Sequence, residues 1–164
     1  DVYAVATVQE EVGLKGARVA SYSITPDVGL ALDVTIASDI PGVDESYHVT
    51  KLGKGPAIKI MDGRSGSGLI AHPAVRNTLI KLAEENKIPY QLEVLTGGTT
   101  DAAAIQLTKE GVPAGTISIP TRYIHSPIET LDLNDAVNAA KLVKVFAEHI
   151  DKNWIVSNLK RKVK

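Results

Sequence analysis

The stretch YQLEVLTGGTTDAAAIQLTKEGVPAGTISIP, residues 90–120, reads as strand, helix, strand. YQLEVL (90–95) and AGTISIP (114–120) are short and apolar, with turn residues around them. Between them TTDAAAIQLTKEG (99–111) is rich in alanine, with Thr99 or Thr100 placed to cap a helix and Gly111 placed to end it. Strands that alternate with helices argue for a mostly parallel sheet covered by helices on both faces.

The same alternation continues outward in both directions. Upstream, HPAVRNTLIKLAEENK (72–87) is an amphipathic helix with Pro73 in its first turn and Val75, Leu79 and Leu82 on one stripe. AIKIMD (57–62) is a short strand, and a polar loop with Gly and Pro runs from about 38 to 56. VGLALDVTIA (28–37) is a buried strand, and KGARVASYSI (15–24) is a modest helix that stops before Pro26. VYAVATV (2–8) is an apolar run, rich in β-branched residues, that reads as a further buried strand. Downstream, LNDAVNAAKLVKVFAEHI (133–150) is a long helix with Val137, Ala140, Val143 and Ile150 along one side. The expected fold class is α/β. The chain opens at Asp1 directly in a strand, which is expected of a piece of a longer chain.

Composition sets the outer limits. The 164 residues suffice for one domain with a real core, and 44% hydrophobic with 23% charged is ordinary for a globular protein. A net charge of −1 offers no footprint for nucleic acid or an anionic membrane, apart from the small basic tail NLKRKVK. There is no cysteine, hence no disulfide and no thiolate chemistry. No apolar run is long enough to span a bilayer and no signal peptide opens the chain, so a cytoplasmic location is expected.

In sheets of this kind ligands bind beyond the carboxyl ends of the strands. The adjacent acids Glu10 and Glu11 follow the run 2–8, and Asp33 sits late in the strand 28–37. GGTTD follows one strand of the quoted stretch, and TRYIHSP, with His125, follows the other. Each has a bland reading. The two acids could be solvated or could favour a helix start. Asp33 could bond backbone amides, since a buried aspartate must be paired, bonded or on a metal. GGTTD could be a tight turn into a helix cap or an anion cradle of amides. A functional reading of the acids requires a sharp turn at Glu10–Glu11, which Gly13 and Gly16 make available. Asp39 reads as a loop acid, His48 and His149 as surface residues, and His72 as a helix-entry residue. Together, two Glu, an Asp and a His at strand ends are the residue types that a divalent metal and a general base require.

The motifs ATVQEEVGLKGA, ALDVTIASDIPG, GGTTDA and RYIHSP, in that order, resemble those of the TET-type dinuclear metalloaminopeptidases, some of which are described as endoglucanases. The resemblance covers nearly the whole chain and implies a zinc-peptidase-like catalytic domain. It implies Glu10 as general base, Glu11 and His125 as ligands of one metal, and Asp33 as a ligand of the second. It also implies two divalent ions, zinc or cobalt, and a peptide substrate near Gly98, Thr99 and Thr100. A homo-oligomer, a dodecamer in the complete protein, is a further implication. The family's upstream histidine and bridging aspartate are not in this chain, nor is its inserted oligomerisation domain. Residues 1–164 are therefore expected to be the C-terminal portion of the catalytic domain and to be inactive alone. The alternatives are a carboxylate glycosidase, against which the 4% aromatic content speaks, and a non-catalytic assembly fragment.

Overall fold

The structure is a computed structural model and describes residues 1–159; all but two residues of the basic tail lie outside the described residues. Its elements are α1 (Lys15–Ile24), β1 (Gly29–Ile36), β2 (Ala57–Met61), α2 (Pro73–Glu85), β3 (Gln91–Val94), α3 (Ala102–Ile105), β4 (Ala114–Arg122), β5 (Thr130–Leu131), α4 (Leu133–His149) and α5 (Lys152–Leu159). The sheet order is β1-β4-β2-β3, with β5 paired to the end of β4. This is the expected α/β architecture with a mixed sheet. β1 runs parallel to β4 and β2 parallel to β3, while β4 and β2 meet antiparallel through Ala57–Ser118 and Ile58–Ile117.

Residues paired across strands share a face of the sheet. Ile58 and Ile117 lie on one face. They are buried in a core with Val75, Leu79 and Leu82 of α2, Leu142 and Phe146 of α4, and Trp154 and Ile155 of α5. The α2 stripe read from the sequence is therefore the packed one. His72 caps that helix, its Nδ1 accepting from the Ala74 N–H. In α4 the buried residues are Asp135, Ala139, Leu142 and Phe146, whereas Val137 is exposed. The expected side is thus rotated, because Asp135 points inward to accept from the amides of Gly53 and Gly55, each at 2.7 Å.

The opposite face carries buried polar residues beside a smaller apolar cluster that includes Ala31 and Ala114. Asp33 pairs with Ser118, Ser118 with Ala57, and Lys59 with Glu93, so these residues share it, together with Thr35. Lys59 and Glu93 form an ion pair of 2.6 Å with no exposed side-chain surface, and Thr35 bonds to both. α1 and α3 lie on the β1 and β4 side of the molecule.

Two further expectations change, and two elements are added. Residues 2–8 form no strand, because a strand exists only through its ladder and this run has no ladder partner among the described residues. Val2, Tyr3, Val5 and Val8 are exposed in consequence. The helix over 99–111 shortens to Ala102–Ile105 followed by turns, with Asp101 rather than a threonine at its cap position. α5 and β5 carry no clear sequence signal. α5 begins where the Asp151 side chain accepts from the Trp154 N–H at 2.7 Å. No helix among the described residues is long and apolar enough to cross a membrane.

Candidate active site

The chain turns sharply between residues 9 and 16. Gln9 and Leu14 adopt left-handed backbone (φ 60° and 56°), and Gly13 has φ 111°, which favours glycine. The amides of Gly13 and Leu14 both donate to the Glu10 carbonyl. Gly16 serves differently: its N–H donates to the Val8 carbonyl, and a Cβ there would lie 2.5 Å from Val8 backbone atoms. The glycine lets α1 start directly against the segment that carries the acids.

This turn separates the two acids. Glu11 Oε1 lies 3.0 Å from His125 Nε2, both side chains being about 70% exposed (71% and 68%). Glu10 is partly buried, and its carboxyl is pushed up to about 7. Burial is the largest cause, followed by the negative charges of Asp33, Glu11 and Asp101, with His125 opposing them. His125 comes from the connection between β4 and β5 and itself has φ 61°.

Asp33 is half-buried in β1, and its Oδ1 accepts from the Val34 N–H at 2.7 Å. Burial raises its pKa. The Val34 bond and the Lys59 charge pull it down, and Asp101 and Glu11 push it up. Asp101 is the member that sequence reasoning missed. Thr7 donates to its Oδ2 at 2.5 Å, and its Oδ1 is buried with no partner among the described residues. Its signal was present in GGTTDA, but a position at a helix start has a local explanation that hides a longer-range one.

The hydroxyls of Thr99 and Thr100 turn inward. Thr99 donates to Asp62 at 2.8 Å and Thr100 lies 3.0 Å from Thr116, so they fasten the loop that contains Gly98 (φ 74°). Asp39 is held by Arg122 at 2.9 Å, and His48 Nε2 lies against the Val43 carbonyl.

The donors suit a divalent ion. A carboxylate oxygen and an imidazole nitrogen that each sit about 2 Å from one tetrahedral ion are roughly 3.3 Å apart, close to the Glu11–His125 separation. The set is short in number: among the described residues, no three His, Cys, Asp or Glu side chains form a metal cage.

Residues 1–142 match the M42 glutamyl aminopeptidases. The chain belongs to that family. The M42 chain is 50% identical over 144 residues to a putative aminopeptidase of Acetivibrio thermocellus, covering 87% of this chain and 42% of that protein. Among solved structures it resembles an aminopeptidase from the archaeon Desulfurococcus kamchatkensis (TM-score 0.92, 61% identity, 97% of this chain and 44% of that one). It also resembles a TET peptidase of Pyrococcus horikoshii that assembles into a tetrahedron or a large octahedral shell (TM-score 0.69, 36% identity, 88% of this chain and 40% of that one). The M42 chain thus spans about two fifths of these relatives' length (42%, 44% and 40%).

Proposed function

We propose that this M42 chain supplies the general base and part of the metal-binding set of an aminopeptidase that removes N-terminal residues from peptides. The observation that carries the reading is the division of the adjacent acids at the turn. Glu11 meets His125 at 3.0 Å, while Glu10 is partly buried among other carboxylates with its pKa raised to about 7. Neighbouring carboxylates in such different settings suit different tasks.

Glu11 and His125 hold one divalent ion and Asp33 contributes to a second; zinc and cobalt both fit these donors. Such ions, when bound, supply the charge that brings the pKa of water down to roughly 7 and polarises a peptide carbonyl. Glu10 moves the proton. Its carboxylate takes one from the attacking water and hands it to the nitrogen of the leaving amine. A base that titrates near neutrality is matched to both transfers. Gly98, Thr99 and Thr100 form the rim that the peptide passes.

Glu11 and His125 make two protein ligands for one ion and Asp33 makes one for the other, whereas catalytic zinc takes three. The remaining donors are proposed to come from the part of its relatives' length that this chain does not span. Residues 1–164 then act as the C-terminal portion of a catalytic domain and are inactive alone. The complete protein forms a homo-oligomeric shell, a reading supported by the assemblies of the Pyrococcus horikoshii relative.

The test is Glu10→Gln in the protein at its full natural length. Metal content stays at the wild-type level and kcat falls by about 100-fold or more, the usual cost of losing a general base. Near-normal turnover with full metal content excludes the role. Chelation abolishes peptidase activity; activity on a glycan that survives chelation would instead indicate a carboxylate glycosidase.

A further inference from the structure

The arrangement that presents His125 leaves one carboxylate unexplained. His125 lies in the connection of residues 123–129, between Arg122 of β4 and Thr130 of β5, which pair with each other. Two non-glycine residues of this connection, Tyr123 and His125, have left-handed backbone, φ 59° and 61°. That conformation is unfavourable for L-residues and persists only where surrounding structure enforces it. Packing does not enforce it here, because the His125 side chain is two-thirds exposed (68%).

Glu129 supplies one restraint at His125. Its Oε1 accepts from the His125 backbone N–H at 2.6 Å. Glu129 directly precedes β5, whose residues Thr130 and Leu131 are tied to Arg122 and Thr121 of β4. The base of the same hairpin is clamped from outside, since the Arg122 guanidinium donates to the Asp39 carbonyl at 2.6 Å and to its carboxylate at 2.9 Å. A chain of contacts thus runs from the sheet through Glu129 to the His125 backbone, and from the imidazole to Glu11. The carboxylates behind metal-bound histidines generally orient the ring through its second nitrogen. Here the carboxylate fixes the backbone that carries the ring.

We infer that Glu129 is a positioning residue: by accepting from the His125 N–H it holds the left-handed backbone that aims the imidazole at Glu11 and so sets the metal affinity of that pair. This rests on the metallopeptidase reading of His125. The acceptor oxygen is what matters, so glutamine should serve in place of glutamate and alanine should not.

The experiment compares Glu129→Ala, Glu129→Gln and His125→Ala in the full-length protein. Cobalt binding to the metal-free protein is followed by its visible absorption, and hydrogen exchange at the His125 amide is measured without metal. Glu129→Ala weakens cobalt binding by about 10- to 100-fold, the usual cost of losing a group that orients a ligand, while Glu129→Gln stays within about threefold of wild type. Exchange at the His125 amide speeds up by about tenfold or more in Glu129→Ala but not in Glu129→Gln. Unchanged exchange in Glu129→Ala overturns the inference, as does a glutamine variant that fails as badly as alanine. If His125→Ala leaves cobalt binding intact, it is the metal reading of His125 that falls. The exchange measurement then still decides whether Glu129 holds this backbone.

Discussion

Lys59 and Glu93 show how much of this molecule is set by single residues that the sequence does not announce. Each sits in a short apolar strand motif, AIKIMD and YQLEVL, where one charge looks like an outward-facing residue. Their partnership joins positions far apart in sequence, and only the sheet order brings them to a buried pair at 2.6 Å with Thr35 between them. Removing one partner leaves the other as an uncompensated buried charge, which costs about 3–5 kcal/mol. Lys59→Met should therefore lose that much in a chemical denaturation curve, and Lys59→Met with Glu93→Leu should recover much of it. A double variant as unstable as the single would show that the loss lies in packing. The turn after Glu10 and Glu11, the place of Asp33 in β1 and that of His125 just beyond β4 were legible, because glycines and apolar runs have local signatures. Asp101 was not, because its partner Thr7 lies in a segment with no local tie to it.

Asp39 carries the same lesson into pH dependence. Burial works against its charge, but the hydrogen bond and charge of Arg122, with the Leu52 amide, outweigh it and hold the carboxyl below its ordinary value of 3.8. A depressed carboxylate adds stability above its unfolded pKa and loses it as pH falls through the folded one. The stability gap between wild type and Asp39→Asn should be constant from pH 7 to about pH 5 and close below pH 3.8. A gap that widens on acidification would contradict the pairing.

Among the elements, those with strong periodicity or a clear stop were readable. α1 and α2 carry a helical stripe or a proline boundary, and β1 and β4 carry long apolar runs. The reading over 99–111 exceeds α3 because alanine favours helix, whereas the chain leaves the helix after Ile105 into a series of turns in which Lys109 is left-handed (φ 51°). The run 2–8 was over-read because β-branched residues favour strand but do not supply the neighbour a strand needs. What anchors this run is contact with other elements: Thr7 to Asp101, and Val8 to Gly16. Gly16→Ala tests that docking. The added Cβ would lie 2.5 Å from Val8 backbone atoms, and backbone cannot swing aside as a side-chain tip can. The expected cost is about 1–3 kcal/mol of stability, with a larger fractional loss of kcat, because the displaced segment carries Glu10 and Glu11. Wild-type kcat in this variant would show that the segment tolerates the shift.

At the scale of the whole molecule, apolar side chains are exposed on the extended run and on both outer strands, among other places. Val2, Tyr3, Val5 and Val8 line the extended run, Leu32 and Ile36 lie on β1, and Leu92 and Val94 on β3. Among the described residues β1 and β3 are the two outer strands of the sheet order, so the edge strands of the sheet carry exposed apolar side chains. Unpaired edges with apolar side chains recruit other chains. The proposed donor set, short of three ligands among the described residues, lies in the same molecule and begins just after the exposed run. Both features lead to one expectation for residues 1–164 expressed alone. The chain should self-associate, and it should bind an apolar dye such as ANS more strongly than the full-length protein does. It should also fail to cleave leucine or glutamate p-nitroanilide with cobalt added. Size-exclusion chromatography with light scattering, run beside the assay, separates the outcomes. An aggregated, inactive chain fits both arguments. A monodisperse, inactive chain leaves the ligand count standing and shows that the edges and apolar surface are tolerated. Turnover by a monodisperse monomer would overturn the count of two ligands for one ion and one for the other, and would direct attention to Asp101, whose buried Oδ1 has no partner among the described residues.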